Sequence, residues 1–147
     1  MAEPVAFRVM NEIGIIDQLG TTMFEREMPH GLTLPQFIVL NHFVRLGGER
    51  TPHALADAMQ VTKATMTSTL HRLTSKGFVS TTPDAHDGRS KRIAITPLGS
   101  QARDEAINAM AHHLSEMSSE IGIAEFEAAL PFLVRLRTFL DKRRSRA

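Results

Sequence analysis

The sequence predicts a mainly α-helical chain with one small β-hairpin (an α+β arrangement), in the order helix, helix, short helix, helix, hairpin, helix, helix. Three observations predict it. Apolar residues recur every three or four positions through most of the chain, the spacing of one face of a helix. Two short threonine-capped segments are separated only by Gln60 and Val61. A β-branched stretch, Phe78 to Thr82, is followed after turn-forming residues by the alternating run Lys91 to Ile95.

The elements follow in order. Residues 5–28 carry Val5, Phe7, Met10, Ile13, Ile16, Leu19, Met23 and Phe24 at helical spacing, and Pro29-His30-Gly31 ends the helix. Thr33 and Gln36 form a T-x-x-Q capping box ahead of Phe37, Leu40, Phe43 and Val44, and Gly47-Gly48 stops that second helix after Leu46. Thr51-Pro52 reads as a cap followed by proline at the first helical position, with Leu55, Ala56 and Met59 turned inward. After the tight turn at Gln60-Val61, Thr62 caps a helix over 62–76 whose Met66, Leu70 and Leu73 share one face, and Gly77 stands at its C-terminal stop. Pro83 to Gly88 is turn chemistry, which makes the two strands a hairpin with a long tip and residues 84–92 its wing. Thr96-Pro97 opens a fifth helix that runs to about Glu120, with Ala102, Ala106, Ala109, Met110, His113, Leu114, Met117 and Ile121 near one stripe. Gly122 breaks it. The last helix covers about 124–143, with Phe126, Leu130, Leu133, Leu136, Phe139 and Leu140 apolar and a kink expected at Pro131.

Composition narrows the function classes. The chain has 147 residues, 42% hydrophobic and 22% charged, ordinary for a globular protein with a core that needs no staples. It has no cysteine, which removes disulfides, thiolate metal sites and thiol nucleophiles together. No apolar run approaches the ~20 residues of a membrane span. Met1-Ala2-Glu3-Pro4 begins no basic-then-apolar leader, so a cytoplasmic protein without a signal peptide or membrane contact is expected.

The net charge of +1 says nothing about nucleic acid, but its distribution does. Residues 62–92 hold six Lys/Arg (Lys63, Arg72, Lys76, Arg89, Lys91, Arg92) against two carboxylates, Asp84 and Asp87. Residues 1–61 are net acidic and residues 93–147 balance. The helix 62–76 also has an unusual outer face: Ala64, Thr65, Ser68, His71, Arg72 and Ser75 are small or polar and never acidic. Two short helices with a tight turn, the second carrying such a face, fit a helix-turn-helix whose second helix enters the major groove of double-stranded DNA. Small residues allow close approach, and hydroxyls and a guanidinium reach phosphates and base edges. The following hairpin, with Arg89, Lys91 and Arg92, serves as a wing whose tip arginine can enter a minor groove. The DNA-contacting residues expected are Thr62, Lys63, Ala64, Thr65, Thr67, Ser68, His71 and Arg72 on the helix, with Arg89, Lys91 and Arg92 on the wing. The competing reading is a winged-helix module that binds protein and has no sequence-specific DNA affinity.

At these residues the chain resembles the MarR family of transcription regulators. The wing Asp87-Gly88-Arg89-Ser90-Lys91-Arg92-Ile93-Ala94-Ile95-Thr96-Pro97-Leu98-Gly99 fits the family's D-x-R, basic strand, and aliphatic-Thr ending followed by Gly. Leu70 to Val79 resembles its L-x-x-L-x-x-K-G-hydrophobic-hydrophobic exit from the recognition helix. One departure is the pair Ser80-Thr81, where many members carry Glu-Arg. The resemblance implies a winged helix-turn-helix over 33–96, with 1–32 and 97–147 forming a helical dimerisation region. It also implies a homodimer that acts as a repressor on a pseudo-palindromic operator. Arg89 would reach the minor groove and Asp87 would hold its guanidinium through a bidentate pair. The apolar first, fifth and sixth helices are expected to bury against a second copy, placing two recognition helices about one DNA turn apart.

The resemblance further implies release by a small aromatic or anionic effector, for which His30, His42 and His53 are the candidates. Seven histidines invite a metal reading, but His112 and Glu116 at i, i+4 are only two ligands, and no metal or other cofactor is expected. The eight methionines read as core fillers. The basic tail Lys142, Arg143, Arg144 and Arg146 reads as a solvated end. No phosphate loop, nucleophile elbow or metal-hydrolase spacing is present, and no enzyme activity is expected.

Overall fold

The computed structural model describes residues 1–86 and 90–144. Its elements are α1 (Val5–Glu27), a 3-10 turn (Pro29–Gly31), α2 (Leu34–Leu46), α3 (Pro52–Met59), α4 (Lys63–Ser75), β1 (Val79–Pro83), β2 (Lys91–Ile95), α5 (Pro97–Ile121) and α6 (Ile123–Arg144). The order is the expected one, a mainly α fold with a small β wing. The chain divides into two compact units, 1–110 and 111–147, the boundary falling inside α5.

In the first unit, local capping chemistry sets the helix ends. The Thr33 hydroxyl accepts from the Gln36 amide, and the Gln36 side chain accepts from the Thr33 amide, closing the capping box of α2. Thr51 and Thr62 accept in the same way from Ala54 and Thr65, each at 3.1 Å. Gln60, in the left-handed region at φ 54°, makes the turn between α3 and α4. There the Val61 amide reaches back to the Ala56 carbonyl at 3.0 Å, and the Gln60 side chain holds the Asp57 carbonyl at 2.8 Å. Gly77, at φ 75°, ends α4 by the same six-to-one closure, with the Phe78 amide on the Leu73 carbonyl at 3.0 Å.

That closure corrects one boundary. Phe78 does not start the strand as its β-branched neighbours suggest. Its amide caps α4, its carbonyl accepts from Thr96 at 3.1 Å, and its ring is buried, so the ladder begins at Val79 opposite Ile95. The hairpin is antiparallel, with Thr81 opposite Ile93 and Thr82 opposite Arg92. Arg50 adds a short third rung by exchanging two backbone bonds with Ile93, at 2.9 and 2.8 Å.

The core lies beneath α4. Val39, Leu40 and Phe43 of α2, Leu55 of α3, Leu73 of α4 and Ile93 of β2 are almost wholly excluded from water. Ala102 and Ala106 of α5 close the same cluster with small side chains. The Gly99 backbone lies so close to Phe78 that an added Cβ would sit 2.0 Å from its carbonyl oxygen. α1 touches this unit at its C-terminal end, through Phe24 edge-on to Phe37 at 4.8 Å and the Glu25 carboxylate accepting from the Leu34 amide at 3.0 Å. None of its residues is buried.

The described part of the second unit is the end of α5 and α6. The helix continues through Pro131, and no residue of α6 is buried. Proline removes one amide and its ring crowds one carbonyl, and the flanking turns carry the helix on.

Gly99→Ala should therefore destabilise the fold by about 1–3 kcal/mol or more, because the obstacle is backbone and cannot turn aside. Urea unfolding followed by far-ultraviolet circular dichroism measures this, and an unchanged midpoint would contradict the close approach.

Candidate nucleic-acid interface

α4 is built to present a surface. Met66, Leu70 and Leu73 bury one side, and the Thr62 hydroxyl both accepts from the Thr65 amide and donates to the Thr65 hydroxyl at 2.9 Å, fixing the first turn. Thr62, Lys63, Ala64, Thr65, Thr67, Ser68, His71 and Arg72 are all exposed. They fall on two adjoining stripes. Lys63, Thr67, His71 and Thr74 follow at helical spacing and line a cleft of about 650 Å³, whereas Ala64, Thr65, Ser68 and Arg72 lie on the face beside it. The hydroxyls of Thr67, Thr69, Thr74 and Ser75 donate to the carbonyl four residues back. Each keeps lone pairs free to accept.

The opposite walls of the cleft come from Thr51, Pro52 and His53 at the start of α3, and from Thr81, Ser90, Lys91 and Ile93 of the hairpin. Sequence patterning did not single out Thr51, Thr74, Thr81 or Ser90 as site residues. The helical spacing from Lys63 could have found Thr74, but the others reach the cleft only because α3 and the hairpin pack on either side of α4.

The wing residues divide. Lys91 is exposed on β2. Arg92 is half-buried, with its guanidinium 3.9 Å from the Asp84 carboxylate. Asp84 also accepts from the His86 amide at 3.0 Å, and its own amide donates to the Ser90 carbonyl at 3.0 Å, tying the two arms of the hairpin. Asp87 and Arg89, the expected arginine-holding pair, lie outside the described residues, as does Arg146 of the tail. Lys76 turns inward. Its ammonium donates to the Gln36 side chain at 2.9 Å and to the Gly31 carbonyl at 3.3 Å, which moors the end of α4 to the α1–α2 connection. Burial, and then the nearby charge of Arg72, hold it below the usual lysine range.

The three histidines considered for an effector occupy three different settings. His30, at φ 60°, hydrogen-bonds Glu105 of α5 and stands edge-on to Phe78 at 5.5 Å. The bond from His30, then that from Gln101 at 2.9 Å, hold the Glu105 carboxyl below the usual range, against a smaller opposing effect of desolvation. His42 sits partly buried on α2; burial first, then Arg50 and Arg45, lower its affinity for a proton. His53 faces the cleft beside α4. Among the described residues no group of three or more metal-ligating side chains comes together, and no helix is long and apolar enough to cross a membrane.

Residues 30–90, spanning the helix-turn-helix and the first arm of the wing, match the model of the MarR family. Over that segment the chain is similar to the MarR family. Solved structures share the fold across nearly its whole length. The BldR transcriptional regulator of Sulfolobus solfataricus is 24% identical with a TM-score of 0.77, over 96% of this chain and 99% of that one. A mutant MarR from E. coli complexed with operator DNA is 24% identical with a TM-score of 0.70, over 87% and 91%. The PcaV transcriptional regulator from Streptomyces coelicolor, in complex with its natural ligand, is 17% identical with a TM-score of 0.72, over 94% and 97%. No curated protein matches the chain at a significant level. The likeness to these structures is one of fold and of element order.

The lowered proton affinities of His42 and Glu105 act on stability in the same direction. The folded chain takes up protons at His42 and Glu105 less readily than the unfolded chain. His42 thus contributes stability that is present above its ordinary value of 6.5 and lost as pH falls through its lowered value. Glu105 does the same from its ordinary value of 4.5 downward. Thermal unfolding across this range should show a shallower acid decline for His42→Gln at the upper end and for Glu105→Gln at the lower end. Parallel curves for all three proteins would refute the assignment.

Proposed function

We propose that this chain is a DNA-binding transcription regulator of the MarR family acting as a homodimer, a repressor of a pseudo-palindromic operator that a small aromatic or anionic effector releases. The observation that carries the reading is the solvent face of α4. Lys63, Thr67, His71 and Arg72 stand exposed on a helix without a carboxylate, next to the exposed Lys91 of β2. That surface suits phosphates along its edges and base edges at its centre. The similarity to a MarR mutant complexed with operator DNA and to PcaV complexed with its natural ligand supports DNA and effector binding as the chemistry to test.

The dimer is supported by what a single chain leaves in water. Val5, Ile16 and Leu19 of α1 and Leu130 and Phe139 of α6 are each more than half exposed. Apolar surface on that scale marks an interaction site, and a second copy of 1–32 and 97–147 would bury it. By the resemblance, Arg89 inserts at the minor groove with Asp87 as its holder.

A duplex from the chain's own upstream region, titrated by fluorescence anisotropy, tests the reading. Affinity should fall steeply with salt, as release of counterions requires. Arg72→Ala and Arg89→Ala should each weaken binding by about 1–3 kcal/mol without unfolding the protein. A protein-binding module would show little DNA affinity at any salt. Light scattering at micromolar concentration should give the mass of two chains, and a clean monomer would contradict the architecture.

A further inference from the structure

The cleft beside α4 has a lining that base reading does not require. Its ionisable groups are Lys63 and His71 from α4, His53 from α3 and Lys91 from β2, and all four are exposed. β1 adds Thr81, and among the described lining residues there is no carboxylate. The acidic groups on the same elements stand elsewhere: Asp84 faces Arg92 at 3.9 Å, and Asp57 of α3 is not in the lining. Arg72 lies on the neighbouring stripe of α4, and His86 of the hairpin is not in the lining either. The cleft is therefore a cradle of two fixed cations and two imidazoles, placed between the reading helix and the wing.

We propose that this cleft takes a phosphodiester of the DNA backbone, and that His53 and His71 each take up a proton from solvent as the phosphate enters. The inference rests on the DNA-binding reading and adds a proton to it. A phosphate within hydrogen-bonding reach favours the imidazolium over the neutral ring, and an imidazole ordinarily titrates near pH 6.5, close to neutral conditions. The sign follows from linkage. Because the complex holds more protons than the free protein, DNA affinity rises as pH falls through the histidine range. His53 thereby becomes part of the DNA surface and leaves the set of effector candidates.

The test is DNA affinity against pH at constant ionic strength, in buffers free of phosphate, for the full chain with a duplex of about 30 base pairs. Affinity should rise by about tenfold for each histidine whose proton affinity increases by one pH unit, between about pH 8 and pH 5.5. His53→Gln and His71→Gln should each remove part of this slope, and the double variant should be flat; circular dichroism confirms that all three are folded. In parallel, the imidazole signals of His53 and His71 in long-range nitrogen–proton spectra should titrate at higher pH in the complex than in the free protein. A slope that persists in the double variant, or imidazole titrations that DNA leaves unmoved, would overturn the proposal. The same movement on adding inorganic phosphate alone would overturn the assignment to a DNA phosphodiester, making the cleft a free-anion site. Binding that is tight but independent of pH would defeat this inference and leave the DNA-binding reading standing. No binding at any pH in low salt would defeat both.

Discussion

The close approach of α5 to the backbone at Phe78 holds the reading head together. Within a few residues, the Gly77 carbonyl accepts from the Thr96 hydroxyl at 2.6 Å, and that hydroxyl accepts from the Gly99 amide at 3.0 Å. The Thr96 amide donates to the Phe78 carbonyl at 3.1 Å. One knot of hydrogen bonds therefore joins the end of α4, the roots of both wing strands and the first turn of α5. It closes only because residue 99 has no Cβ. A larger residue there would push α5 away from the core that Ala102 and Ala106 complete, and the angle between α4 and the hairpin would lose its reference.

A second set of contacts sorts the cations by task. Lys76 and Arg103 point inward, Lys76 to Gln36 and Gly31, and Arg103 to the Asn41 side chain at 3.1 and 3.0 Å. Lys63 and Arg72 of α4 and Lys91 of β2 face solvent, while Arg92 of β2 turns to Asp84. Gln36 is almost wholly buried, and its side-chain oxygen accepts from both the Lys76 ammonium and the Thr33 amide. Positive charge in the middle of the sequence is thus part structure and part surface, and only the surface part is available to a phosphate. The proposed proton uptake at His53 and His71 belongs to the surface part. It would let acidity tune the electrostatic share of affinity without touching the base-reading stripe.

The terminal helices are a different physical problem. α1 and α6 carry large apolar side chains that the single chain does not bury. At roughly 25 cal/mol per Å² of apolar surface, covering several such residues on each copy is a strong drive to associate. The proposed dimer answers that drive and couples two reading heads, so that an effector acting on either region would be felt at both.

Much of this was legible in the residues. Thr33, Thr51 and Thr62 mark three helix starts, Gly77 marks a stop, and Met66, Leu70 and Leu73 declare the inner face of α4, because caps and helical periodicity are local properties. The family resemblance of the segment Leu70 to Val79 was equally readable. The tertiary structure decided the rest. It set the first strand at Val79, since Phe78 is claimed by α4 and Thr96. It carried the last helix through Pro131, turned Lys76 inward, and separated His30, His42 and His53 into unrelated settings. The opening reading rested on α4 and the hairpin as two basic elements. Packing made them the walls of one cleft and added His53 from α3, because surfaces formed by residues far apart in sequence exist only once the core beneath them has closed.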